Sequence, residues 1–193
     1  MSDIRQSLFH YRSYTPFPFL FAMVLFALPT PATLCSGVVL TLLGEALRFW
    51  GVAYAGSLTR VTGGVGAPEV VISGPFSYVR NPLYIGNILM YTGVGLMANA
   101  LTPWLVLVAL VYFIFQYSLI VSLEEEFLEK EFGEGYREFK NNVPRFFPRL
   151  RPYQNPRQEH QKPNWAEAFR SERRTFQAIV LAMLLVFLIW IWR

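Results

Sequence analysis

Long apolar stretches alternate with polar ones along this chain. A hydrocarbon core of roughly 30 Å needs about 20 mostly apolar helical residues, and five windows of the sequence approach that length. They lie near residues 16–31, 34–56, 82–98, 103–122 and 175–192. The first window is short with prolines at both ends, so it tilts little, thins the bilayer locally or is only partly inserted. The pattern predicts an all-α integral membrane protein with about five transmembrane helices.

Two features set the limits of the middle spans. The stretch from Ala53 to Gly74 is rich in glycine, which predicts a loop. Asn81 followed by Pro82 has the form of a helix N-cap with proline at the first helical position, so the third span is predicted to begin there. Glycines, Asn99 and Pro103 then predict a tight turn, which leaves the third and fourth spans as an antiparallel hairpin.

An amphipathic segment follows this hairpin. From Leu123 to Phe139, apolar side chains recur every three to five residues with charged residues between them. The pattern predicts a helix that leaves the bilayer and lies along its cytoplasmic surface, interrupted near Gly133 and Gly135. Prolines then break up a basic, polar connection, and the last span ends in tryptophans and Arg193, which suits a membrane interface.

The composition agrees with a membrane as the solvent. Apolar residues make up 53% of the chain and charged residues only 16%, an unusual balance for a soluble protein. The first residues lack a basic segment followed by an apolar core and a cleavage site, so we expect the first apolar helix to stay in the mature protein. Cys35 is the only cysteine, which excludes an intramolecular disulfide and a cysteine-rich metal site.

The basic residues predict the topology. The N-terminal segment and the 57–81 loop carry four arginines, and eleven further Lys or Arg residues lie in the 123–174 segment. The connections 30–36 and 99–102 carry none. By the positive-inside rule, the N-terminus and both basic segments are expected in the cytoplasm. We therefore expect an integral protein of a bacterial inner membrane, with its polar motifs on the cytoplasmic face.

Three regions follow from these limits. Residues 1–56 are predicted to form an N-terminal transmembrane hairpin, and residues 151–193 a basic linker with a C-terminal transmembrane helix. Residues 57–150 contain a loop, the helical hairpin and the amphipathic helix. We expect this middle region to carry the chemistry.

Two polar motifs flank the predicted hairpin. The first comprises Gly74, Tyr78, Val79, Arg80, Pro82, Tyr84 and Gly86. The second comprises Glu124, Glu125, Leu128, Phe132, Gly133, Tyr136, Arg145 and Pro148. Together they resemble the paired signatures of the isoprenylcysteine carboxyl methyltransferase and phospholipid methyltransferase superfamily, over about 75 residues. The family pattern has a histidine where this chain has Asn81.

The resemblance implies a pocket for S-adenosylmethionine at the membrane surface. The residues implied to bind this cofactor are Tyr78, Arg80, Asn81, Pro82, Leu83, Tyr84, Gly86, Glu124, Glu125 and Tyr136. Carboxylates would accept hydrogen bonds from its hydroxyls or amino group, and N–H groups at a helix start would receive its carboxylate. Tyrosine faces would lie against the sulfonium and the adenine. Gly86 would let a ligand or a neighbouring helix approach closely.

Catalysis is assigned to four candidates: Glu45, Arg48, Tyr84 and Arg145. Glu45 and Arg48 lie three apart on one face of the second span, where charge is costly. They either neutralise each other or help to shape the substrate headgroup pocket. Methyl transfer depends mainly on positioning and on exclusion of water, so we expect no metal.

An ammonium acceptor must lose a proton before it is methylated, whereas a carboxylate acceptor is already anionic. Asn81 cannot titrate, unlike the histidine of the family pattern. The proton acceptor is therefore left open among Glu45, Glu124, Glu125, Tyr84 and bulk water.

The predicted function is methyl transfer to a lipid-like acceptor from the bilayer, either a phospholipid amine or an isoprenoid or prenylcysteine-type carboxylate. Two alternatives stay open. Membrane sterol reductases resemble the first motif but bind NADPH, and a non-catalytic membrane scaffold would keep the motif only for packing. We expect the membrane and its lipids as partners, no nucleic acid and no metal, and leave a homodimer open.

Overall fold

The computed structural model describes residues 3–56 and 69–193. This part of the chain is helical, without strands, which confirms the all-α prediction. Its α-helices are α1 Ile4–Tyr11, α2 Phe17–Leu25, α3 Pro31–Ala55, α4 Pro82–Ala98, α5 Trp104–Phe132, α6 Glu134–Asn142 and α7 Trp165–Trp192. Short 3₁₀ helices at Gly74–Ser77 and Pro156–His160 precede α4 and α7. Most of the predicted 53–74 loop lies outside the described residues.

Three helices, α3, α5 and α7, are long and apolar enough to cross a membrane, so the chain is an integral membrane protein. α4 is also apolar but has only 17 residues. The predicted count of five spans is not confirmed. In place of the predicted first span, α2 has nine residues, about 14 Å at 1.5 Å per residue, and residues 27–30 after it are not helical.

The helix starts follow the local sequence. α3 begins with Pro31 at its first position behind a capping box formed by Thr30 and Thr33. α4 begins at Pro82, as predicted, with Asn81 at the N-cap position. The Asn81 side chain, however, makes no capping hydrogen bond to the helix. This prediction is wrong in that detail, because the amide group points to another segment.

α5 continues past the predicted end of the fourth span. It is unbroken from Trp104 to Phe132, 29 residues or about 43 Å, which exceeds the thickness of a hydrocarbon core. The amphipathic segment expected from Leu123 to Phe139 is therefore divided between the extension of α5 and α6. The predicted interruption is confirmed at Gly133, whose φ of 53° ends α5 before α6 begins.

Close packing of small residues joins α3 to α4. A Cβ atom added to Gly44 would lie 2.6 Å from the carbonyl oxygen of Gly86, and one added to Gly86 would lie 2.7 Å from that of Gly44. The two backbones therefore touch, which is typical of helix pairs in membranes. The main apolar core lies beside this pair and includes Met23, Val94, Met97, Phe113, Ile120 and Val186.

Residues 143–153 cross back over the residues that precede α4. Three backbone N–H groups donate across this contact: Arg80 to Pro144 at 2.9 Å, Arg149 to Tyr78 at 3.0 Å and Tyr153 to Ser77 at 2.8 Å. A small apolar core accompanies the contact, formed by Ile72, Tyr136, Phe139, Val143 and Tyr153. The first part of the basic connection is therefore packed against the first motif.

Candidate functional site

Arg80 and Glu125 form a buried ion pair between the two motifs. Nε and Nη2 of Arg80 lie 3.0 and 2.9 Å from Oε1 of Glu125. Nη1 of Arg80 donates to the backbone carbonyls of Lys140 and Val143, at 2.7 and 2.5 Å. The two charged side chains are only 10% and 5% exposed. Taking both charges out of water costs free energy, and the attraction within the pair offsets this cost only when further hydrogen bonds are made. The two backbone carbonyls supply these hydrogen bonds.

Arg145 brings a second guanidinium to the same carboxylate. Its Nε donates to Oε1 of Glu125 at 3.2 Å, and its Nη2 donates to Oε2. The side chain of Arg145 is 38% exposed, so it lies at the open side of the group. Asn81 holds this segment by donating from Nδ2 to the carbonyl of Arg145 at 3.2 Å. Arg80, Glu125 and Arg145, the arginine cluster, carry one more positive than negative charge.

Tyr84 and Glu124 form a second pair next to this cluster. The Tyr84 hydroxyl donates to Oε1 of Glu124 at 2.7 Å. The Tyr84 ring also packs on Tyr117, with 4.7 Å between the ring centroids. A phenol and a carboxylate are therefore held side by side between α4 and α5, where they can bind a polar ligand or move a proton.

The other two predicted tyrosines occupy different surroundings. Tyr136 is buried in the small apolar core, and burial followed by the charge of Glu125 raises the pKa of its hydroxyl above 10.0. Tyr78 is half-buried, and its ring centroid lies 6.2 Å from that of Trp50. Of the two, Tyr78 has the more accessible aromatic face.

Three further predicted binding residues contribute to helix packing. Pro82 is buried at the first turn of α4, and Leu83 packs against the cluster of Val52, Ala53 and Ala168. Gly86 faces Gly44 of α3. These residues set the position of the α4 start relative to α3.

Arg48 pairs with a residue of the C-terminal helix. Its Nη2 lies 3.0 Å from both carboxylate oxygens of Glu172, which is fully buried. Nη1 of Arg48 donates to Oδ1 of Asn87 at 2.6 Å. Glu45 is also buried, at 6% exposure. Arg48 thus joins α3, α4 and α7, whereas Arg145 belongs to the arginine cluster.

Three polar residues of this region were missed by sequence reasoning: Asn87, Tyr117 and Glu172. Glu172 stands in a run of charged residues just before the last apolar window, a pattern typical of a solvated helix start. Its burial arises only because α7 packs against α3. The carbonyls of Lys140 and Val143 were also missed, since every residue has such a group and the sequence carries no sign of its use.

The partly exposed residues of the site suit an organic ligand that carries a positive and a negative charge. The guanidinium of Arg145 can receive a carboxylate, and Glu124 can accept hydrogen bonds from hydroxyl or ammonium groups. The ring of Tyr78 offers a face for a cation or a flat base. Among residues 3–56 and 69–193, no group of three His, Cys, Asp or Glu side chains could hold a metal ion.

Comparison with known families agrees with the two motifs. A family model described as phospholipid methyltransferase matches residues 32–135. The match covers the first motif and the start of the second, from α3 to the start of α6. It leaves out α1, Arg145 and α7. No solved structure matches the chain.

Two curated proteins are similar to this chain. The cobalt-zinc-cadmium resistance protein CzcN of Cupriavidus metallidurans is 32% identical over 124 residues, 64% of this chain and 53% of that protein. The nickel-cobalt-cadmium resistance protein NccN of Alcaligenes xylosoxydans xylosoxydans is 33% identical over 82 residues, 42% of this chain and 37% of that protein. The chain thus spans about half the length, or less, of these relatives.

Proposed function

The chain belongs to the phospholipid methyltransferase family, and we propose on that premise that it transfers a methyl group from S-adenosylmethionine to a lipid-like acceptor. We place this reaction at the cytoplasmic face of the membrane, where the basic segments are expected and where the donor is dissolved. The acceptor reaches the site from the bilayer.

The observation that carries this proposal is the meeting of the two motifs. Arg80 and Glu125 are 45 residues apart in sequence, yet their side chains share hydrogen bonds in a buried pair. Tyr84 and Glu124 meet in the same way across the helices. A scaffold that used these residues only for packing would not need two arginines on one carboxylate, because buried charges are costly.

The residues fit the cofactor by chemistry. When bound, S-adenosylmethionine supplies an electrophilic methyl group on a sulfonium. Arg145 would receive its carboxylate, Glu124 would accept hydrogen bonds from its polar groups, and Tyr78 would cover the cation or the adenine. We assign Glu125 to hold the two guanidinium groups in place, since both of its oxygens already accept from them.

For an amine acceptor, the site must also take up a proton. Asn81 cannot take up a proton, and the carboxylate of Glu125 already accepts hydrogen bonds from two arginines. We therefore propose Glu124 as the proton acceptor, with the Tyr84 hydroxyl holding its carboxylate in position. A carboxylate acceptor would need no such step, and the site would then act by positioning and by excluding water.

The test is incubation of the detergent-purified protein with isotopically labelled methyl donor and total membrane lipids, followed by mass spectrometry. We expect a labelled lipid, and its mass identifies the acceptor. Glu124→Gln should lower the rate at least about tenfold, while Glu131→Gln, at an exposed position of the same helix, should leave it unchanged. Binding of NADPH instead of the donor would favour a reductase, and binding of neither would favour a scaffold.

The names of the two relatives suggest a second, cellular candidate. They describe resistance to cobalt, zinc, cadmium and nickel, and the first relative is similar over 64% of this chain. We propose that methylation by this protein contributes to metal resistance. A strain lacking the gene should then grow poorly in these metal salts, and the unchanged gene should restore growth while Glu124→Gln should not. Equal growth of all strains would contradict this candidate.

A further inference from the structure

A cluster of polar side chains lies between α3, α4 and α7, one turn along α4 from the candidate site. Arg48, Asn87 and Glu172, here called the inner polar cluster, come from α3, α4 and α7. Asn87 stands three residues after Tyr84, about one helical turn. Nδ2 of Asn87 donates to the Tyr117 hydroxyl at 3.3 Å, and the ring of Tyr117 packs on Tyr84. The inner polar cluster is thus connected to the Tyr84–Glu124 pair.

The guanidinium of Arg48 already presents an anion-binding geometry. Its Nη2 contacts both oxygens of Glu172 at 3.0 Å, and Nη1 is held by Asn87 at 2.6 Å. Its Nε is buried without a hydrogen-bond partner. A guanidinium offers the same donors to a carboxylate or a phosphate, so another anion can replace Glu172.

α7 is packed against α3 around Ala168 and Glu172, but its apolar part beyond Glu172 is largely exposed. Only 6% of the residues in its most apolar window are buried, and much of its apolar surface faces outward. The pair between Arg48 and Glu172 is therefore a main polar link between α7 and α3.

We propose that Arg48 binds the anionic group of the lipid acceptor, a phosphate or a carboxylate, and that Glu172 occupies this position when no lipid is bound. The inference rests on the proposed function and specifies its acceptor site. An anchored phospholipid lies one helical turn from Tyr84, with its amine toward Glu124, whereas a carboxylate acceptor is held at Arg48 by the group that is methylated. The inner polar cluster therefore selects anionic lipids, and Glu172 keeps the site closed by competing for the same guanidinium.

The test is native mass spectrometry of the full chain in detergent with three lipids: phosphatidic acid, oleate and uncharged diolein. Glu172→Gln removes the competing anion and should raise the affinity for an anionic lipid about tenfold. Arg48→Gln alone would leave Glu172 as a buried charge, so the double variant Arg48→Gln with Glu172→Gln is used to keep the fold. It should bind the anionic lipids no better than diolein.

Arg173→Gln, at an exposed position of α7, is the matched control and should leave all three affinities unchanged. If only the binding of phosphatidic acid depends on Arg48, the group that Arg48 binds is a phosphate. If only the binding of oleate depends on Arg48, this group is a carboxylate. Equal anion binding by the double variant and the unchanged protein, or no gain in Glu172→Gln, would overturn the inference. Calorimetric titration of S-adenosylmethionine on the same samples reports separately on the proposed function.

Discussion

The hydroxyl of Tyr84 donates a hydrogen bond to Oε1 of Glu124 at 2.7 Å, across 40 residues of sequence. It joins the first turn of α4 to the part of α5 that lies beyond the predicted end of the fourth span. The adjacent residue, Glu125, is held by Arg80 and Arg145. Consecutive carboxylates of one helix thus have different neighbours, a phenol for one and two guanidinium groups for the other.

Removal of the Tyr84 hydroxyl tests the first of these pairs. Tyr84→Phe keeps the ring stacked on Tyr117 but leaves Glu124 without this donor. Since a hydrogen bond to a charged group contributes about 1.5–3 kcal/mol, we expect the affinity for S-adenosylmethionine to fall about tenfold or more, measured by calorimetry. Tyr14→Phe, at an exposed position, is the control. An unchanged affinity in Tyr84→Phe would contradict a role for this pair in the site.

The two arginines on Glu125 should differ in their effects. Arg80→Gln leaves the carbonyls of Lys140 and Val143 without their charged donor and weakens a buried pair, so we expect a loss of about 3–5 kcal/mol in the free energy of unfolding. Arg145 is 38% exposed, and Arg145→Gln should cost only about 1 kcal/mol or less. We expect it instead to weaken binding of the methyl donor about tenfold.

Denaturant unfolding and donor titration of both variants measure these quantities. Arg151→Gln, at an exposed position with the same loss of charge, serves as the control for both. If Arg145→Gln were the more unstable of the two and bound the donor normally, the assignment of Arg145 to the open side of the site would be wrong.

Because the backbones of α3 and α4 are in contact, the stability of the protein should be sensitive to one methyl group added at Gly86. In Gly86→Ala the new Cβ atom would lie 2.6 Å from Cγ of Arg48 and 2.7 Å from the carbonyl oxygen of Gly44. The helices must move apart, so we expect a loss of about 1–3 kcal/mol in stability and a lower melting temperature in detergent. Ala46→Leu, which adds volume at an exposed position of α3, should have little effect. Equal melting temperatures would show that the helices are not in such close contact.

The alkaline limit of stability should depend on Tyr136. Burial and the charge of Glu125 raise the pKa of this hydroxyl in the folded state above 10.0. The unfolded chain therefore loses this proton first, so the contribution of neutral Tyr136 is fully present below pH 10.0 and is lost as the pH rises toward the folded pKa. Melting temperatures between pH 8 and 11 should fall less steeply in Tyr136→Phe. Parallel curves would contradict the shift.

The sequence by itself determined the helical, membrane-embedded character of this protein. Hydrophobic windows reflect the thickness of the bilayer. Pro82 and Gly133 act through local backbone geometry, so the helix limits predicted at these two residues hold in the structure. The two motifs could be recognised because their residue types and spacing are properties of the chain alone.

Only the tertiary structure decided which polar groups meet. The side chain of Asn81 donates a hydrogen bond to the carbonyl of Arg145 and does not cap α4. Arg48 pairs with Glu172 of α7. The carbonyls of Lys140 and Val143 accept hydrogen bonds from Arg80. Each contact joins segments distant in sequence, and its partner is selected by packing and by the need to satisfy a buried charge. Local patterns do not contain that information, because a buried ion's partner depends on the path of the whole chain.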